Sequence, residues 1–130
     1  MTVEVTRHPK LPVVYLKIVQ PVQVPGDIET NMKEGLKLKS ELGGHVYRII
    51  DVREMNLSFS DMMVAMATDR KGEGTLDDSD VTTLYVGGGD LVAFGVKALA
   101  EQDQYGQLGV KLFASDEEAY AYVVEDMKNR

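Results

Sequence analysis

The chain has no cysteine. That removes disulfides, thiol nucleophiles, thiolate zinc sites and iron–sulfur clusters, and leaves no redox signature to read. Histidine is nearly as scarce, with only His8 and His45. They lie far outside the i, i+3 or i, i+4 spacing of a helix-borne metal pair, so they read as two surface imidazoles. Cations are outnumbered: 14 Lys and Arg stand against 21 Asp and Glu, for a net charge of -7. Binding to a phosphate backbone rests on clustered cations, so nucleic acid is not an expected partner. No apolar run approaches the roughly 20 residues of a membrane span, and Met1 to Val5 carry no basic stretch leading into an apolar segment. The expectation is a soluble cytoplasmic protein without a membrane span. What remains is an ordinary globular composition, 130 residues with 44% hydrophobic and 27% charged, enough for one domain over residues 1–130 with its own core.

Along the chain, Val3 and Val5 flank Glu4 in a short alternating segment that ends at Pro9 and Pro12. Residues 13–19 follow, β-branched and almost continuously apolar, as expected of a strand covered on at least part of both faces. These two segments predict an antiparallel hairpin. After Pro21, Pro25 and Gly26, Asp27 caps an expected helix whose apolar face is Ile28, Met32, Leu36 and Leu42, ending at Gly43 and Gly44. Residues 46–52 predict a strand. Ser58 and Asp61 then mark the start of a second helix reaching about Thr68. Residues 69–80 are polar and acidic and read as a mobile loop. Residues 81–86 predict a strand that turns at Gly87, Gly88, Gly89 and Asp90 into a helix carrying Leu91, Phe94 and Leu99. Residues 110–114 predict the last strand. Ser115 to Glu118 form a capping box opening a final helix, with Ala119, Tyr120, Val123 and Met127 on one side.

The predicted order is β-β-α-β-α-β-α-β-α. Alternation of this kind implies an α/β domain with a mostly parallel sheet and an antiparallel edge strand from the first hairpin.

Ligands of such sheets sit outside the carboxyl ends of the strands, so the rim to inspect holds Asp51, Arg53, Gly87, Gly88, Gly89, Asp90 and Asp116. The triglycine invites an anion at a helix amino terminus. It lacks the rest of a dinucleotide fingerprint and the Lys-Ser/Thr of a Walker loop, and Asp90 puts a negative charge where the anion would sit. A tight turn and an Asp cap explain it better. Asp51, Asp90 and Asp116 together could hold Mg²⁺ in an enzyme, although two of them also serve as ordinary caps. The serines have no neighbouring histidine and no nucleophile elbow. No cofactor is expected. Met62, Met63 and Met66 share a helical spacing that suits core filling, or else an adaptable contact surface for a peptide or a small apolar ligand.

The strand order, the hairpin before the first helix, and the segment from Ile49 and Asp51 through Ser58, Phe59, Ser60, Asp61 and Met62 resemble the STAS domain of anti-sigma factor antagonists, and more closely the SpoIIAA-like (STAS/SEC14-type) bacterial family. Gln104, Tyr105 and Gly106 before residues 110–113 add to the likeness. The resemblance implies a STAS-like fold and a non-enzymatic regulatory domain that binds a protein partner or self-associates. In those antagonists the turn into the second helix carries a phosphorylated serine that switches an interface. Here Ser60 and Asp61 stand near that serine pair and Met62 replaces the glycine. On this alignment Asp61 supplies a permanent charge at the switch position, and any phosphorylation moves to Ser58 or Ser60. The implied contact surface is Ser58, Ser60, Asp61, Met62, Met63 and Met66. The SEC14-type likeness also carries the alternative of a small apolar ligand.

Overall fold

In the computed structural model, residues 3–19, 26–54, 58–70, 78–87 and 110–130 are described, together with the helical positions Ala93 and Lys97. Five strands form one mixed sheet: β1 (Val3–Arg7), β2 (Val13–Ile18), β3 (Val46–Asp51), β4 (Val81–Val86) and β5 (Val110–Phe113). They lie in sequence order β1-β2-β3-β4-β5 across the sheet. β1 pairs antiparallel with β2, Val3 opposite Ile18 and Arg7 opposite Val14, while β2 to β5 run parallel. Three helices are described in full, α1 (Gly26–Leu42), α2 (Phe59–Thr68) and α3 (Asp116–Lys128). The described elements therefore run β-β-α-β-α-β-β-α. This differs from the expected order because the helix placed after Asp90 lies, apart from Ala93 and Lys97, outside the described residues.

Alternation along the strands assigns each side chain to one of two cores. Val14, Leu16, Ile18, Val46, Ile50, Val81 and Tyr85 face α1 and α2, where Leu38 and Met63 pack onto them. Val13, Tyr47, Ile49, Leu84 and Val86 face α3 and meet Ala119 and Val123. Each fully buried Leu, Ile or Val contributes roughly 1.5–3 kcal/mol. The run at residues 13–19 forms β2, with Val13, Val14, Leu16 and Ile18 buried and Tyr15 and Lys17 half-buried, a strand covered at least in part on both faces.

Two helix faces depart from expectation. In α1 the buried positions are Asn31, Gly35 and Leu38, while Leu36 is exposed. The expected face of Ile28, Met32 and Leu36 advances by four residues each time and so drifts around the helix, whereas i, i+4, i+7 stays over the sheet. Leu42, the last residue of α1, is 54% exposed. In α3, Ala119 and Val123 are buried while Met127, a turn further on, is exposed. The caps follow the sequence more closely. Ser58 Oγ accepts from Asp61 N–H at 3.1 Å, and Ser115 Oγ accepts from Glu118 N–H at 3.2 Å. Gly43 closes α1 with φ 69°, its N–H donating to Lys39 O at 2.9 Å, a left-handed stop for which glycine is best suited. The proposed cap Asp27 has its side chain outside the described residues.

Candidate functional site

At the carboxyl end of the parallel strands, β3 ends in Asp51, whose side chain lies on the α3 side of the sheet with Ile49. It is 1% exposed, a carboxylate almost removed from water. Such burial is costly unless the charge is paired and hydrogen-bonded. Both conditions are met. Tyr15 OH, from β2, donates to Oδ2 at 2.7 Å; Arg53 donates from its backbone N and from Nε to Oδ1 at 3.0 Å each, and from Nη2 to Oδ2 at 2.7 Å. Burial pushes the Asp51 carboxyl up, but the Arg53 and Tyr15 hydrogen bonds outweigh it and hold the group below the ordinary carboxylate range. Burial, reinforced by the Asp51 carboxylate, pushes the Tyr15 phenol above its usual value.

Arg53 is thus pinned by a fork, with a further contact from Nη2 to Tyr15 OH at 3.2 Å, while its side chain remains 45% exposed. Its stem crosses Gly87, which has φ 75°; a Cβ there would lie 2.0 Å from Arg53 Cγ. Gly87 therefore serves two needs at once, a left-handed turn after β4 and room for the arginine. Tyr15 also stacks on Tyr120 of α3, ring centroids 6.2 Å apart, and Tyr120 leans against His8 at 5.4 Å. Of the rim residues singled out in the sequence, Asp51, Arg53 and Gly87 come together here. Gly88, Gly89 and Asp90 lie outside the described residues.

This arrangement is chemically quiet. Asp51 has no lone pair left to act as base or to take a cation without losing a partner, and the phenol beside it is held protonated. Among the described residues, no group of three or more His, Asp or Glu could hold a metal ion.

The second candidate region is the start of α2. Ser58, Ser60 and Asp61 are exposed, with the Ser58 hydroxyl engaged as the cap. Met63 is half-buried and packs against the α1 and α2 core. The side chains of Met62 and Met66 lie outside the described residues. Farther along, Val64 is 49% exposed and Ala67 is exposed, so α2 presents apolar side chains outward as well as inward.

Other polar groupings were not anticipated. Arg48, with 0% exposure, sits on the α2 side of β3 between Val46 and Ile50. Its Nη1 and Nη2 donate to Asp69 Oδ1 and Oδ2 at 3.0 and 2.9 Å, and its Nε and Nη2 to Thr83 Oγ1 at 3.0 and 2.8 Å. The signal was present in the sequence: Arg48 shares strand parity with two apolar residues, so it had to point into a core and find an acid there.

At the opposite end of the sheet, Tyr47 OH donates to Asp126 Oδ2 at 2.6 Å and Arg130 Nε to the same oxygen at 2.8 Å. Burial and the Asp126 bond push the Tyr47 phenol up to about 12. His45 Nε2 lies 2.7 Å from Thr82 Oγ1 and is half-buried; burial first, then Arg130, hold its pKa below the usual value. His8 accepts from the N–H groups of Lys10 and Leu11 through Nδ1 at 3.0 and 2.9 Å. Neither histidine is the plain surface imidazole expected, because each replaces water with a specific partner. His45, Lys39, Gly43, Gly44 and Asp80 line an open cleft of about 290 Å³.

No protein-family model matches the chain, and neither a curated protein nor a solved structure matches it.

Proposed function

We propose that the chain is a non-enzymatic protein-binding domain whose contact surface is the turn and helix spanning residues 58–66. The observation that carries this reading is the outer face of α2, where Val64 is 49% exposed one turn from the exposed acid Asp61. An apolar centre beside an acidic edge, on a chain of net charge -7, fits a protein surface with a small apolar centre and a basic rim. The saturated Asp51 adds support, since the strand-end acid best placed for chemistry is committed to Tyr15 and Arg53. So does the resemblance of residues 49–62 to the partner-facing turn of STAS domains, with Asp61 as a fixed charge in place of a switchable phosphate.

Quantitative affinity capture from native lysate, followed by cross-linking mass spectrometry, tests the surface. Val64→Glu and Asp61→Lys should each reduce recovery of the captured protein at least about tenfold, equivalent to about 1.4 kcal/mol. Cross-links should fall within residues 58–66. Lys33→Glu, an exposed change on α1, should leave recovery unchanged. Equal recovery by all variants, or no captured protein with the wild-type chain, defeats the proposal.

A further inference from the structure

β1 is the terminal strand of the sheet, and no described strand pairs with its outer edge. The bonding pattern identifies the groups on that edge. His8 N–H donates to Val13 O at 3.1 Å, which marks residues 8 and 13 as a hydrogen-bonded pair. In an antiparallel ladder such pairs alternate, so Glu4 and Thr6 direct their backbone groups at β2. Val3, Val5 and Arg7 therefore turn their N–H and C=O groups outward.

We infer that this edge is a self-association surface, on which β1 pairs antiparallel with β1 of a second copy about a twofold axis at Val5. A twofold axis perpendicular to the sheet keeps each face on its own side, so odd residues must meet odd residues. The register centred on Val5 places Val3 opposite Arg7 of the partner subunit and Val5 opposite Val5 of the partner subunit. Every outward backbone group of the strand then finds a complement. Registers displaced by two residues leave some of them unpaired.

The side chains agree with this register. Val5, on the α1 side with Val3, is 36% exposed and becomes covered by its symmetry mate. No proline or glycine interrupts Val3–Arg7. Of the two charged residues that could blunt this edge, Arg7 is already engaged within the protomer. Arg7 is ion-paired with Glu41, and Glu4 lies opposite Lys17 on β2. Across the interface Glu4 meets Thr6 and Arg7 meets Val3, so no like charges stand directly opposite. The two sheets become one continuous sheet. A five-residue strand contributes less than the roughly 1,000 Å² of a tight interface, so the dimer is reversible and concentration-dependent. It uses the sheet edge, apart from the α2 surface, and stands or falls independently of it.

Because the chain has no cysteine, single cysteines report the register without background. Under mild oxidation, Val5→Cys should form a disulfide-linked dimer at least about tenfold faster than Glu4→Cys, because directly opposed residues lie within the roughly 7 Å Cα limit for a disulfide and diagonal ones beyond it. Sedimentation of the wild-type chain from micromolar to half-millimolar should pass from monomer to dimer. Val5→Pro removes an outward N–H and no β1–β2 bond, so it should stay monomeric over that range with an unchanged circular dichroism spectrum. A monomer at half-millimolar, Glu4→Cys linking as fast as Val5→Cys, or a folded Val5→Pro that dimerises like the wild type would each overturn the inference. Should Val5→Pro fail to fold, the two cysteine rates still decide the register.

Discussion

Asp51 illustrates how a residue's surroundings determine its chemistry. In the sequence it is an acid at the end of a strand, the position where parallel sheets place ligands. In the fold, Tyr15 and Arg53 fill its acceptor sites and it becomes an anchor for the guanidinium. Asp51→Asn should therefore cost about 1.5–3 kcal/mol at neutral pH, the range for hydrogen bonds to charged partners, and urea denaturation will measure it. The pH dependence has a definite sign. Since the folded carboxyl titrates below its ordinary value, the unfolded chain takes up the proton first as pH falls. The stabilisation is complete above about pH 4 and is lost below it as the pH passes through the folded-state pKa, so the gap between wild type and Asp51→Asn should narrow in acid. A gap that is constant from neutral to strongly acid pH would show that the carboxylate charge is not what holds Arg53. Arg53 could be placed on the same rim from the sequence, but its bond to Tyr15 could not, because a contact between positions so far apart in the chain requires the β2–β3 pairing to be known.

Among the elements, α2 is held at both ends. Ser58 caps its start, and Asp69, just past its last turn, is buried against Arg48 of β3. The cap was legible because a serine followed three residues later by an acid is a local pattern. The buried pair was not. It joins a strand to a helix end, and only the strand's inward parity hinted at it. Arg48→Met should cost about 3–5 kcal/mol by removing the buried guanidinium that pairs with the Asp69 carboxylate. The double variant Arg48→Met, Asp69→Leu should recover most of that loss, because removing both charges removes the desolvation penalty as well. Thermal and urea unfolding of the four chains in the cycle will decide, and a double variant no more stable than Arg48→Met would show that the pair is net stabilising. The α1 face makes the complementary point. Helical periodicity alone favoured Ile28, Met32 and Leu36, and the sheet beneath selected Asn31, Gly35 and Leu38.

For the whole molecule, the acidity has acquired locations. Asp51, Asp69 and Asp126 are each committed to an arginine, and Asp78 to Lys39. Asp61 stays exposed on α2. With Asp51 satisfied internally, millimolar Mg²⁺ should change the melting temperature no more than KCl at matched ionic strength, as differential scanning calorimetry can verify; a specific upward shift would restore the strand-end acids as a metal site. The amino-acid sequence by itself determined the α/β class, the strand segments, the helix caps at Ser58 and Ser115, and the stop at Gly43, because these depend on neighbours within a few residues. Tertiary structure alone decided which acid meets which base, which α1 face is buried, that both histidines have partners, and that β1 is the terminal strand among the described ones. Those outcomes depend on which strands become neighbours and how much water is left between layers, and neither is encoded in any short stretch of the chain.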